Sequence, residues 1–239
     1  MKSKLGILVT YCLLSISSGG GIILQAQAQP VLTCQGSAVE ISGTSNDDTI
    51  EGTSGDDVIH GFGGNDTIKG GGGLDIICGG DGDDSLFGEA DSNLLNLGSG
   101  DDRIDGEEGN DYIKGGPGND NANGGNGNDT LIGDSGIDYL SGGSGEDSLQ
   151  GDSGNDNLNG GLDNDRIIGD AGDDLIDGRE GNDYLQGDSG KDLIAGGEGD
   201  DTLKGNSGSD DLNGGAGIDS CDAGSRTFLG PRDIVNECE

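Results

Sequence analysis

The chain has one histidine, no tryptophan, three phenylalanines and only 11 lysines and arginines in 239 residues. Each scarcity closes a class of function. With a single histidine there is no His-Glu-x-x-His zinc motif. Against the 11 basic residues stand 47 aspartates and glutamates, a formal net charge of −36, which excludes nucleic-acid binding in practice. Only 29% of residues are hydrophobic while 54 are glycine, a composition that ordinarily marks a disordered chain.

A strict period overrides that expectation. From Gly43 to Asp222 the chain repeats every nine residues without losing register, in twenty copies. One copy reads Gly106-Glu107-Glu108-Gly109-Asn110-Asp111-Tyr112-Ile113-Lys114 and another Gly124-Gly125-Asn126-Gly127-Asn128-Asp129-Thr130-Leu131-Ile132. Position 1 is Gly in nineteen copies, position 4 is Gly in seventeen, position 6 is Asp in nineteen and position 8 is Ile or Leu in eighteen. A disordered low-complexity chain has no reason to keep one Ile or Leu every nine residues. Self-similarity at a short fixed period predicts a solenoid.

This pattern is similar to the Gly-Gly-x-Gly-x-Asp-x-apolar-x nonapeptide of the RTX (repeats-in-toxin) family, whose repeats form Ca²⁺-binding parallel β-rolls. The resemblance covers about three quarters of the chain. It implies an all-β fold: a flattened β-solenoid of about twenty repeats, with two parallel sheets and short capping segments. The residues agree. Positions 1 to 6 form a turn, with glycines at 1, 2 and 4 supplying positive φ, and positions 7 to 9 form a strand. Two copies make one circuit, and successive circuits pair about 4.8 Å apart. Side chains alternate along a strand, so position 8 faces inward while 7 and 9 face solvent.

Turns from copies n and n+2 stack on one edge, each bringing a position-6 carboxylate and several backbone carbonyls. Hard oxygen donors of this kind suit Ca²⁺; Mg²⁺ keeps its water, and Zn²⁺ or Cu²⁺ would want His or Cys. His60 lies at an outward position 9. The candidate ligands are Asp48, Asp57, Asp66, Asp75, Asp84, Asp102, Asp111, Asp120, Asp129, Asp138, Asp147, Asp156, Asp165, Asp174, Asp183, Asp192, Asp201, Asp210 and Asp219. Twenty turns give up to about 18 sites, or +36, against the −38 that remains if Lys2 and Lys4 are removed with a leader. Without Ca²⁺ the stacked carboxylates would repel, so the chain is expected to fold on binding the ion. The competing reading makes these aspartates turn formers only. Position 6, however, deviates only at Asn93, while position 5 varies among Asp, Asn, Ser, Ile, Leu and Lys. Poorer sites and local distortion are expected in Gly88–Asn96, which has Asp91 and Asn93 and is followed by Leu97, and in Gly160–Ile168, which has Asp163.

Residues 1–28 read as a secretory signal: Lys2 and Lys4, an apolar stretch from Leu5 to Leu24, and Ala26-Gln27-Ala28 before the expected cleavage. The alternative is an uncleaved anchor; the Ser17–Gly21 interruption argues against a spanning helix. The RTX toxins and proteases it resembles usually carry an uncleaved C-terminal export signal instead. Residues 29–42 are expected to cap the roll, with Ile41 in phase with position 8. Residues 223–239 are expected to cap the other end through Phe228, Leu229, Ile234 and Val235, with Arg226 and Arg232. Four cysteines remain after cleavage. Cys78 and Cys221 would lie about eight circuits, roughly 38 Å, apart, so the pairs expected are Cys34–Cys78 and Cys221–Cys238. A buried free thiol at Cys221 is the alternative.

The expected function is that of a secreted, calcium-binding, non-enzymatic roll, an extracellular or cell-surface structural or interaction module with no membrane span after cleavage. A matrix, surface or protein partner could meet Tyr112, Tyr139 or Tyr184 at outward position 7, but they are separated along the roll and read rather as ordinary surface tyrosines. The alternative is a calcium-dependent accessory module that stabilises or escorts a separately encoded secreted enzyme. Asp-Asp pairs such as Asp56-Asp57 and Asp200-Asp201 imitate a glycosidase pair but recur as turn and solvated face. Ice binding is disfavoured because position 3 never carries Thr.

Overall fold

A computed structural model describes residues 33–34, 37–38, 41–224 and 234–238. The proposed leader, most of the segment 29–40 and residues 225–233, with Arg226, Phe228, Leu229 and Arg232, lie outside the described residues. All described regular structure is β, and among the described residues no helix is long and apolar enough to cross a membrane.

The chain winds into a flattened solenoid with two parallel sheets of eleven strands each. Strands enter the sheets alternately. One sheet runs from Ile41–Ser42 to Ser220–Asp222 and the other from Thr49–Glu51 to Ile234–Asn236. Register is fixed by the period: Leu131 pairs with Leu149 and Ile167 with Leu185, eighteen residues on in each case. A one-residue slip would turn every position-8 side chain outward, so the apolar residue enforces the register.

The core is a double row of those position-8 side chains, Ile50 to Leu212, one from each copy, with Leu97 added. From Ile59 onward they are at most 2% exposed. Ala122 keeps the row in phase with a smaller side chain, and Cys221 packs against its end. One apolar side chain per nine residues is a thin core, since all nine residues lose backbone entropy on folding. The turns must supply the rest.

The turn backbone departs from the sequence expectation in one respect. Positive φ occurs at positions 2 and 4, as at Gly143 (φ 113°) and Gly145 (φ 119°), but not at position 1. Glycine is needed at position 1 for space, because a Cβ on Gly133 would lie 2.9 Å from the Gly151 carbonyl. At position 2 the left-handed conformation is tolerated by Asp134, Asp152, Asp170 and Asp188, with φ from 68° to 76°. Asp tolerates this region better than most residues because its short side chain bonds locally.

The two irregular copies keep their register. Asp91 and Asp163 take φ of 71° and 73° at position 4, where glycine usually sits. The distortion is confined to the circuit that contains Leu97: the strand Arg103–Asp105 has three residues where its neighbours have five and six. The strand that contains Leu97, Leu94–Ser99, keeps six residues.

At the N-terminal end, Ile41 pairs with Ile59, in phase as expected. The described residues before it do not continue the roll. Thr33–Cys34 and Ser37–Ala38 form an antiparallel pair, and Cys34 is joined to Cys78 with 6.0 Å between Cα atoms. This segment therefore meets the roll as an antiparallel strand pair and not as a further parallel coil. Cys78, at an outward position 9, is buried. At the other end Val235 pairs with Leu212, and Cys221 is bonded to Cys238 rather than remaining a buried thiol.

Gly145→Ala should destabilise the roll by more than about 1 kcal/mol, because the new Cβ would meet the Gly127 backbone in a left-handed conformation. Asp163→Gly should leave stability unchanged or raise it. Thermal unfolding in excess Ca²⁺ checks both, and a lower melting temperature for Asp163→Gly would contradict this account of position 4.

Candidate metal centre

The position-6 aspartates line both edges of the roll, in turns between one sheet and the other. Asp57 and every later one is at most 6% exposed, while Asp48, in the first turn, is half-buried. Their orientation is set by one recurring bond: Oδ1 accepts from the backbone N–H of the position-6 residue one circuit earlier. The N–H of Asp129 donates to Asp147 Oδ1 at 2.8 Å, and that of Asp147 to Asp165 Oδ1 at 2.8 Å. The carboxylate thus ties each turn to its predecessor.

The other oxygen is left over. Oδ2 of Asp66, Asp75, Asp84, the aspartates at nine-residue intervals from Asp102 to Asp201, and Asp219 is buried without a hydrogen-bond partner. A buried polar atom without a partner costs about 1–3 kcal/mol and a charged one more, so a row of them needs a compensating group. The first two turns differ. Asp48 Oδ2 accepts from Thr44 N–H at 2.6 Å and Thr44 Oγ1 at 2.8 Å, and Asp57 Oδ2 from Thr53 N–H at 2.6 Å.

The orphaned oxygens converge on the space left by the position-1 glycines. A Cβ on Gly106 would lie 2.5 Å from Asp111 Oδ2, and one on Gly151 would lie 2.9 Å from the carbonyl of Gly169 in the next circuit. Each of these cradles therefore holds a carboxylate oxygen of one turn, without a hydrogen-bond partner, and a carbonyl oxygen of the next. Among the described residues no three His, Cys, Asp or Glu side chains form a metal cluster. The donor set is instead one carboxylate per turn with backbone carbonyls around it. All-oxygen, carbonyl-rich surroundings of this kind fit Ca²⁺ and offer nothing to Zn²⁺ or Cu²⁺.

Burial raises the affinity of these carboxyls for protons. It is the largest cause throughout; neighbouring aspartates add to it and the backbone N–H opposes it. Asp84, Asp111, Asp120, Asp147, Asp156 and Asp192 are pushed up to about 7, Asp165 to about 8, and Asp75, Asp102, Asp138 and Asp183 to about 6.

Position 5, variable in the sequence, has a role that its variability concealed. Where it is Asp or Asn, its Oδ1 accepts from the position-5 N–H of the following circuit, as Asp101 does from Asn119 at 2.8 Å and Asn119 from Ile137 at 2.8 Å. Positions 5 and 6 therefore reach in opposite directions along the axis. The frequent Asp and Asn at position 5 were the available signal. A second row, also missed, lies at position 2 of one sheet: Asp134, Asp152, Asp170 and Asp188 stand in register. Gln150 bridges Asp152 and Asp170 at 2.7 Å each, and Lys114 pairs with Asp134 at 2.6 Å.

Other singled-out residues settle differently. Tyr184 is occupied within the roll, donating to Gln186 at 2.7 Å and lying under Arg166 and Lys204. Tyr112 and Tyr139 stay exposed. His60 stacks on Phe62 and its Nδ1 accepts from the Phe62 N–H.

These features define a class, the parallel β-roll with stacked oxygen-donor turns. The family model of the RTX calcium-binding nonapeptide repeat matches residues 42–77, 75–104, 97–131, 132–167, 150–185, 159–194 and 186–221, together most of the chain. The protein belongs to the RTX calcium-binding nonapeptide repeat family, and its roll is a calcium-binding structure. No curated protein matches the sequence.

The raised carboxyl affinities carry a pH dependence. Their folded values of about 6 to 8 lie above the unfolded value of about 4, so the metal-free roll binds more protons than the unfolded chain. The resulting stability is fully present below the unfolded value and is lost as pH rises through the folded ones. In chelator, β-type circular dichroism should therefore increase as pH falls from about 8 to 5. In the presence of Ca²⁺ the same drop should raise the half-saturating concentration, because protons and cations compete for the same oxygens.

Proposed function

We propose that the buried Oδ2 atoms of the position-6 aspartates and the neighbouring turn carbonyls hold Ca²⁺, and that the protein is a secreted, non-enzymatic module that becomes rigid when they do. The observation that carries this reading is the row of orphaned, buried carboxylate oxygens facing carbonyls across the position-1 glycines. A bound Ca²⁺ would supply the positive charge these oxygens lack. On this reading the ion row begins at Asp66, since Asp48 and Asp57 already have N–H donors.

The backbone does the positioning. Position 1 leaves room, positions 2 and 4 turn the chain, and Oδ1 holds each carboxylate against the previous turn. Remove the cation, and the thin core alone must hold a strongly anionic chain in register. Folding and metal affinity are then a single equilibrium.

The same geometry argues against catalysis. In the pair Asp200-Asp201, Asp200 Oδ1 accepts from the Ile218 N–H of the following circuit, while Asp201 Oδ1 accepts from Asp183 N–H of the preceding one. The two carboxyls diverge, and Asp201 is buried. They cannot flank a substrate bond as a glycosidase pair does. Secretion is supported by the leader-like residues 1–28 and by the two disulfides, which persist in oxidising compartments.

A Ca²⁺ titration of the disulfide-bonded protein, followed by circular dichroism with calorimetric ion counting, should show a cooperative coil-to-β transition. Asp147→Asn should remove about one ion and raise the calcium midpoint severalfold. An equally β-rich spectrum in EDTA would sink the reading. Mass analysis of the exported protein should place its first residue at Gln29.

A further inference from the structure

The cradle does not fit a cation everywhere along the row. At Asn93, the one position 6 that is not aspartate, Oδ1 accepts from Asp75 N–H at 2.9 Å and thereby keeps the tie to the previous turn. The atom that replaces Oδ2 is an amide nitrogen, which donates to the Asp91 carbonyl at 3.2 Å. Asn93 is 1% exposed, and its side chain is satisfied where its neighbours on the same edge, Asp75 and Asp111, each leave an oxygen orphaned. The cradle over Gly88 therefore contains Asn93 Nδ2 and the Gly106 carbonyl, a donor already among acceptors. A cation placed there would face the positive end of an N–H dipole.

The opposite edge of the same circuit departs too. Leu97 is the one position 1 that is not glycine, and it is fully buried and part of the core. Its Cβ occupies the place that the other copies leave open for the carboxylate oxygen of their own position 6 and the carbonyl of the next circuit. An alkyl side chain offers no oxygen and fills the room. Both substitutions fall within residues 88–105, one on each edge, and the ladder shortens in that circuit.

We propose that circuit 88–105 is a calcium-free seam: the Asn93 amide stands in for an ion on one edge and Leu97 excludes it on the other. Resting on the calcium reading above, this divides the ion row into a short N-terminal run, Asp66, Asp75 and Asp84, and a long C-terminal one beginning at Asp111. The short run lies beside the Cys34–Cys78 disulfide, which joins the preceding circuit to the terminal hairpin. On the Asn93 edge the seam keeps its turn-to-turn bonds without metal, because Asn93 carries no charge to be neutralised; on the other edge Asp102 keeps an orphaned Oδ2, from which Leu97 bars the ion. The Asn93 edge of the circuit is then the part of the roll whose local order depends least on Ca²⁺.

The test compares the full disulfide-bonded chain with Asn93→Asp, Leu97→Gly and the double variant, counting bound Ca²⁺ at saturation by equilibrium dialysis and elemental analysis. Each substitution should add about one ion and the pair about two. Should a variant fail to fold, hydrogen exchange of the unmutated chain in excess chelator decides instead. There the Asp75 amide, bonded to Asn93, should exchange at least about tenfold more slowly than the Asp147 amide, bonded to Asp165. An unchanged ion count in folded variants, or without them equal exchange at the two amides, overturns the seam while leaving the calcium roll standing. An unmutated chain that binds no Ca²⁺ at all overturns both.

Discussion

The structure depends on a carboxylate that is half satisfied. In most turns from Asp66 onward the backbone N–H of the preceding circuit takes one oxygen of the position-6 aspartate, and the other is buried facing a carbonyl. The first oxygen provides the turn-to-turn connection. The second makes that connection conditional, because a buried anionic oxygen among acceptors is unfavourable until something positive joins it. Architecture and function therefore share one atom group. The core beside it is thin, with about one Ile or Leu inside for every nine residues.

Repetition makes this arrangement additive. Each circuit touches chiefly the ones before and after it, so every turn contributes the same small set: an inward apolar residue, a position-6 tie backward and, where position 5 is Asp or Asn, a tie forward. Solenoids of this kind have stabilities close to a sum of nearest-neighbour terms. A departure in one copy is felt locally, and the circuit 88–105 shows as much. Its register survives an aspartate in the left-handed region and a leucine in place of glycine, and only the neighbouring ladder shortens. At the ends, where a circuit has one neighbour only, disulfides replace the missing contacts.

Much of this was legible from the residues. The parallel sheets, the eighteen-residue register, the inward position 8 and both disulfide pairs follow from the period, because a strict repeat leaves one way to stack. What was not legible depends on φ and on direction. Position 1 reads like the other glycines, yet it needs space and not positive φ, since what surrounds it comes from the next circuit. Position 5 reads as free because Leu74, Ile137 and Ile218 interrupt it. Its ladder shows only when the Asn119 side chain is seen to accept from Ile137. Tyr184 reads as a surface aromatic, but Arg166 and Lys204, eighteen and twenty residues away, cover it.

By itself the sequence determined the period, and with it the fold, the number of turns and the residue type that lines each edge. A nine-residue repeat with one apolar position can bury that position only by winding. The tertiary structure decided what each carboxylate does with its two oxygens, because their partners lie one circuit away and on opposite sides. It also decided where the pattern stops asking for a cation. Asn93 and Leu97 are two substitutions in a long repeat until the circuits are stacked. They then stand on the two edges of one circuit, with an amide nitrogen and a Cβ where the other copies leave an unpaired oxygen and an open cradle.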